Sequence, residues 1–230
     1  MNTVAMRAIN TPLNPSNPSI PSLAASDDPA IWASIYEADI NLALWQRQQT
    51  AALKASVQSL LAQRTFSQLQ LALPVASLAK RLDEELPDFE LRASLVEDVA
   101  QLADMFACLF ELNTVGLRLK VLDAAMCPRF HVDRVPCRLV STYTGPTTEW
   151  LANKGIDRSK LGSGSNGLSD ERSGLLRLGQ QQPSEIQRMS TGEVGLLKGE
   201  LWQGNEGRGL VHRSPSISGG KRLLLTLDFA

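Results

Sequence analysis

A mixed α+β fold is what this chain predicts, with helices concentrated in the first half and β structure in the second. Three observations carry that expectation. Large apolar residues recur every three or four positions between Glu90 and Leu112, the spacing of a helix with one buried stripe. At Val115 the period changes to two, with Leu117, Leu119 and Val121 alternating against Gly116, Arg118 and Lys120. The last segment alternates as well, so Leu223, Leu225, Leu227 and Phe229 share one face and Arg222, Leu224 and Thr226 the other. The wholly apolar face is expected to pack under the helices, leaving Arg222 on the interior face of the β half.

Length and composition suit one globular domain with a sizeable core: 230 residues, 43% hydrophobic and 20% charged. Residues 1–29 are dominated by Pro, Asn, Ser and Ala and read as a flexible tail. Residues 30–114 read as a strand-helix-strand opening with a helical cap, and residues 115–230 as the β-rich core. The formal net charge is −1, so no global basic field draws nucleic acid or anionic lipid, and neither is expected as a partner. No apolar run is long enough to span a bilayer, and the N-terminal stretch lacks the apolar core of a secretory signal. Three cysteines, an odd number, suit a reducing cytoplasm better than a disulfide framework.

In chain order, Ile40 to Arg47 alternates like a half-buried strand, although Ala43 and Trp45 blur the polar face and helix competes. Gln48 to Gln63 is predicted helical through Leu53, Val57, Leu60 and Leu61. Thr65 to Leu73 returns to a strand pattern. Val75 to Leu82 and Glu90 to Leu112 form the cap, separated by Pro87. Cys108 is read there as a small buried hydrophobe. After the Val115 strand come Pro136 to Tyr143 as a strand, Gly145-Pro146 as its turn, and a polar, glycine-rich stretch over 152–189. Within it Gly162 to Gly167 lacks the Gly-Lys-Ser/Thr ending of a phosphate loop, so a flexible insertion or lid is expected. Glu193 to Gly199 and Gly209 to His212 supply the remaining inner strands.

The chain has two histidines, and both fall in the β half: His131 in the run Phe130-His131-Val132-Asp133, and His212 ten residues before Arg222. In an extended segment His131 and Asp133 point the same way, so both can face an interior that His212 reaches from another strand. Two imidazoles and one carboxylate form a facial triad, which leaves three positions of an octahedral metal open. Satisfied core or surface histidines are the competing reading. Cys127 and Cys137 flank the motif, and thiolate with imidazole would favour tetrahedral zinc, yet neither belongs to a Cys-x2-Cys pair.

His-x-Asp, a distal His and an Arg ten residues beyond it resemble the pattern of the 2-oxoglutarate and Fe(II)-dependent dioxygenases. That resemblance covers residues from about Val115 onward. It implies a double-stranded β-helix, a jelly-roll or cupin-like barrel, with the helical cap packed on one sheet. It also implies Fe(II) held by His131, Asp133 and His212, and 2-oxoglutarate paired through its far carboxylate with Arg222. Tyr143 is a candidate hydrogen-bond donor to the same cosubstrate, beside the plainer reading of a structural tyrosine. The runs MCPRFHVDRVPCRLVSTYTGPTTEWL and GEVGLLKGELWQG also resemble an uncharacterised bacterial family catalogued as a domain of unknown function. Likeness to that family implies a possible link to zinc-handling GTPases. It keeps open a non-catalytic zinc protein in zinc homeostasis; a cupin-like barrel that binds a small molecule without catalysis is a separate alternative.

Overall fold

In a computed structural model of the chain, the described residues are 22–177, 179 and 185–230. Ten strands build two sheets among them. The strands are β1 (Ser22–Ser26), β2 (Ile40–Trp45), β3 (Gln68–Pro74), β4 (Thr114–Leu122), β5 (Cys137–Thr144), β6 (Glu149–Leu151), β7 (Ile186–Arg188), β8 (Val194–Lys198), β9 (Val211–Arg213) and β10 (Arg222–Phe229). The large sheet runs β1-β2-β8-β5-β10-β4-β3 and the small one β7-β6-β9. The β1–β2 pair is parallel; the other ladders are antiparallel.

The strands alternate because each face of the large sheet meets a different layer. Leu223, Leu225 and Leu227 of β10, with Val115, Leu117 and Leu119 of β4, pack under the helices α1 (Ala51–Ala62), α2 (Leu78–Glu85) and α3 (Arg92–Leu109) in one buried cluster. The opposite face carries Leu42, Leu44, Val140, Leu197 and Leu224 in a second cluster, roofed by Trp150 of the small sheet. Strand β2 contributes to both, Ala43 on one side and Leu42 and Leu44 on the other. Its blurred alternation is that of a strand covered on both faces.

Local signals fix the helix ends. Thr50 caps α1 by accepting from the Leu53 N–H at 3.1 Å. In α3 the stripe Leu95, Val99, Leu102 and Phe106 is fully buried. The helix is shorter than its apolar pattern, beginning at Arg92 after the left-handed Leu91 (φ 59°). At its other end Glu111 turns left-handed (φ 54°), and the Leu112 N–H reaches back to the Ala107 carbonyl at 2.9 Å, which stops the helix. Cys108 lies on the exposed face of α3, one turn after exposed Asp104, and is not the buried hydrophobe expected.

Two further expectations change. Of the stretch read as a tail, residues 1–21 lie outside the described residues, while Ser22–Ser26 joins the sheet as β1 through backbone bonds its small side chains do not advertise. The 152–189 stretch is built rather than structureless over its described residues. It contains 3-10 turns at Arg158–Lys160 and Gly162–Ser165, the short helix α4 (Asp170–Ser173) and β7. Ile156 and Leu175 are buried with Phe130, Leu151 and Val211 on the outer face of the small sheet. Gly164 serves close packing, since a Cβ there would lie 1.7 Å from the Ser159 carbonyl oxygen, whereas Gly162, Gly167 and Gly174 adopt positive φ with open space around them. Among the described residues no helix is long and apolar enough to cross a membrane.

One largely buried ion pair, its side chains 11% and 12% exposed, ties the layers together. The Arg47 guanidinium grips Asp98 of α3 through two bonds of 2.6 and 2.9 Å and donates to the Gly192 carbonyl at 2.9 Å. The Tyr143 hydroxyl donates to the same carboxylate at 2.6 Å. Asp98→Ala would leave Arg47 buried without its counter-charge, and breaking such a pair costs about 3–5 kcal/mol. Equilibrium chemical unfolding should register that loss; a change below about 1 kcal/mol, the scale of exposed pairs, would contradict it.

Candidate metal centre

His131 lies between β4 and β5 and pairs with His212 of β9 through two backbone bonds, each N–H donating to the other's carbonyl at 3.0 Å. This reciprocal bridge brings the rings to one side, with centroids 4.6 Å apart. Asp133, two residues on, reaches the same point: its Oδ1 is 3.6 Å from His131 Nε2 and its Oδ2 is 3.4 Å from His212 Nε2. One ligand atom from each of the three residues lies within 4.8 Å of the others.

The histidine tautomers follow from their second nitrogens. Nδ1 of His131 faces the Arg129 carbonyl at 2.9 Å, and Nδ1 of His212 faces the Leu210 carbonyl at 3.1 Å. A carbonyl only accepts, so each Nδ1 carries a proton, and in the neutral ring each Nε2 presents a lone pair. Two lone pairs and a carboxylate then converge on one spot. Such a cluster repels itself unless a cation, proton or metal, sits between. The ionisation equilibria reflect this. Burial works against charging His131, yet the hydrogen bond to Asp133 and the Arg129 carbonyl outweigh it and raise its pKa. Burial likewise opposes the Asp133 charge, but the two imidazoles and Arg138 hold its carboxyl far below the usual range.

Arg138 of β5, which the sequence reading did not single out, completes the setting of Asp133. It donates to Asp133 Oδ2 at 2.7 Å and grips Asp228 of β10 through bonds of 2.7 and 3.1 Å. Sequence proximity could not reveal Asp228, ninety residues away; the β5–β10 register brings the two side by side. Asp170 of α4 was missed too. Its buried carboxylate accepts from the Phe130 N–H at 3.0 Å and from Arg213 at 2.9 Å, the residues adjoining the two histidines. Glu149 of β6 also holds Arg213 at 2.7 Å, and the Arg213 guanidinium stacks over the Phe130 ring at 4.3 Å. The insertion therefore fastens the strands that carry both imidazoles.

Arg222 opens β10 on the same side and is 1% exposed. It donates to Thr142 Oγ1 at 3.0 Å and to Thr148 Oγ1 at 2.9 Å, and has no carboxylate partner among the described residues. Burial alone pulls its pKa down to about 10. Together with His131, Asp133, His212 and Arg138 it lines one recess, as does Thr226, whose buried hydroxyl lacks a hydrogen-bond partner. Lys221, the preceding residue, is exposed. The turn before β6 passes directly against this point: a Cβ on Gly145 (φ +86°) would lie 2.8 Å from the Arg222 Cα, so that position requires glycine.

Two candidates lie elsewhere. Tyr143 points to the helical side, where its hydroxyl is committed to Asp98, and burial with that neighbouring charge pushes its pKa well up. It is a structural tyrosine, not a donor to this recess. Cys137 is also on the helical side, since it precedes the inward Arg138 and successive strand residues face opposite ways. Cys127 is exposed at the rim of the recess, outside the group of converging ligand atoms. The two cysteines and the triad therefore do not assemble into one ligand set.

Among solved structures, the chain is similar to the rice dioxygenase for auxin oxidation at 13% identity and TM-score 0.46, covering 82% of this chain and 73% of that one. It is similar to JOX2 in complex with 2OG, Fe and JA at 11% identity and TM-score 0.47, covering 91% and 74%. An oxidoreductase of the 2OG-Fe(II) oxygenase family from Burkholderia pseudomallei aligns at 9% identity and TM-score 0.40, covering 91% and 94%. No curated protein matches the sequence. Residues 26–228 match the family described as protein of unknown function DUF1826, and the chain belongs to that family.

Proposed function

We propose that the chain is an Fe(II)- and 2-oxoglutarate-dependent oxygenase whose β half is a double-stranded β-helix. The observation that carries this reading is the meeting, in one recess, of a converging His-His-Asp ligand cluster and a buried arginine with no carboxylate partner among the described residues. The winding of the chain supports the barrel. From β4 onward it visits the large sheet, the His131 bridge on the small sheet, β5 in the large, β6 and β7 in the small, β8 in the large, β9 in the small and β10 in the large.

His131, Asp133 and His212 would hold the metal through Nε2, a carboxylate oxygen and Nε2, and fit it by donor type and fixed tautomer. Bound iron would supply the oxidation of an organic substrate coupled to decarboxylation of 2-oxoglutarate to succinate. This chain's residues bind and orient. Arg138 occupies the Asp133 oxygen nearer His212 and keeps the carboxylate from turning. Arg222, braced by Thr142 and Thr148, presents a guanidinium suited to a carboxylate, and the unsatisfied Thr226 hydroxyl is a further polar contact. Charge fits as well: Asp133 and Asp228 offset Arg138 and Arg222, leaving a divalent ion to be balanced by a dianion, as 2-oxoglutarate is. Zinc on the triad would account for the ligand cluster, but not for the buried, unpaired Arg222.

His131→Ala, Asp133→Ala and His212→Ala should each greatly weaken binding of the same single metal, with the helix-packed core intact. A Cys127→Ser, Cys137→Ser double variant should keep it. Metal analysis checks both, and unchanged stoichiometry in all three triad variants would remove the centre.

Losing one partner of a buried pair costs about 3–5 kcal/mol. Arg222→Ala should therefore weaken 2-oxoglutarate binding by roughly two to three orders of magnitude at nearly constant metal affinity, whereas exposed Lys221→Ala should do little. Calorimetric titration into the metal-loaded protein decides this: no binding to the parent, or equal binding to the Arg222 variant, would sink the cosubstrate role.

A further inference from the structure

The large sheet extends past the small one. Its face toward the metal recess continues across β10 onto β4 and β3, where cross-strand register sets out three rows: Asp228, Gly116 and Ala72; Thr226, Arg118 and Gln70; Leu224, Lys120 and Gln68. Gly116 and Ala72 are small, and between them and Asp228 the surface sinks into a groove of ≈ 420 Å³ that Arg118 also lines. That is within the size range of small-molecule sites.

The groove and the metal recess are one strand apart. Thr226 lines the recess and its register partner Arg118 lines the groove, while Asp228 in the groove wall is bonded to Arg138, which holds Asp133. Adjacent strands are about 4.8 Å apart, so a small molecule lying in the groove can extend over β10 to the triad. The side chains of Arg118 and Lys120 have no hydrogen-bond or ion-pair partner among the described residues. The one acid beside them, Asp228, is already committed to Arg138 through both oxygens.

A basic residue on an edge strand is ordinarily a guard against edge-to-edge pairing. These two are on β4, an inner strand; the edge strand β3 carries Gln68, Gln70 and Ala72 on this face instead. Edge protection therefore does not account for them. Neither does the metal centre, whose own charges already balance once a divalent ion and a dianion are bound.

We propose that this groove and the adjoining Lys120 bind the substrate, and that the substrate is a small organic acid with one carboxylate paired to Arg118 in the groove wall and another to Lys120, one row beyond it. The inference deepens the oxygenase reading and rests on it for the word substrate, while the anion site itself stands on the groove. The cations are two residues apart on one strand, about 7 Å between Cα atoms, so a flexible dicarboxylate of similar span can meet both.

Adipate is a suitable probe, with its neutral diamide, adipamide, as the matched control. Titrated into the 15N-labelled full chain, adipate should give saturable shifts at the amides of Gly116, Arg118 and Ala72. An Arg118→Ala, Lys120→Ala double variant, which removes both ionic contacts, should weaken it by roughly tenfold or more, about 1.4 kcal/mol. Ala72→Phe, which fills the groove from the exposed edge strand, should block it by shape with both cations present. Arg222→Ala should leave adipate binding unchanged, since it acts in the other recess. Non-saturating shifts in the parent, equal binding by the double variant, or equal affinity for adipamide would overturn the proposal. Those outcomes are independent of the metal and 2-oxoglutarate titrations, so the groove can fail with the oxygenase reading intact, and the reverse.

Discussion

Everything at the centre of this molecule depends on the reciprocal backbone bridge between His131 and His212. Two N–H to carbonyl bonds of 3.0 Å hold the His131 segment against β9, eighty-one residues on, in register, and so fix where both imidazoles point. A shift of one residue on either strand would turn its histidine out of the interior, because strand side chains alternate. The flanking residues guard that register. Phe130 and Arg213 are both tied to Asp170, and Arg213 also to Glu149. The carboxylates beside the histidines thus set the register from outside, while Asp133 meets the rings from within.

The layers explain why the centre can be charged at all. The large sheet presents its aliphatic face to the helices and its mixed face to the small sheet, so the polar groups gather in one narrow space. In that space charges are costly unless matched. Asp133 and Asp228 share Arg138, and Arg222 balances the remaining charge only at a distance, braced directly by hydroxyls alone. The unmatched cation and the converging lone pairs are the two places where the protein by itself is electrostatically incomplete, and each is of the sign that a dianion and a divalent metal would complete.

The wing formed by β3 and β4 repeats this logic at the surface. Its inner strand carries two cations facing the side of the site, and beside the first of them, over small Gly116 and Ala72, lies a groove. On the opposite face the same strand is wholly aliphatic and packs on the helices. One strand thereby serves the core and a polar groove at once, which period-two alternation permits and a helix of the same length would not.

Much of this was legible in the residues alone. The period change at Val115, the apolar stripe of α3 and the split faces of β10 are local patterns, and local patterns are what a chain states directly. So are the two histidines, the His-x-Asp spacing, and the opposite facing of Lys221 and Arg222. What the sequence could not determine was which distant groups would meet. Arg138 with Asp228, Asp170 with the neighbours of both histidines, and Tyr143 with Asp98 are all pairings set by strand register or layer packing, between residues 40 to 90 positions apart. Tyr143 and Cys137 went to the helical face because strand parity, counted from Arg138, assigned them there. The polar 152–189 stretch read as a flexible insertion because the order of its described residues comes from turns, a few buried side chains and one carboxylate, none of which has a period. Periodicity marked the long helices and strands, and spacing marked the candidate ligands; only tertiary register decided their partners, since cross-strand contacts depend on how the sheets align and no local spacing encodes that.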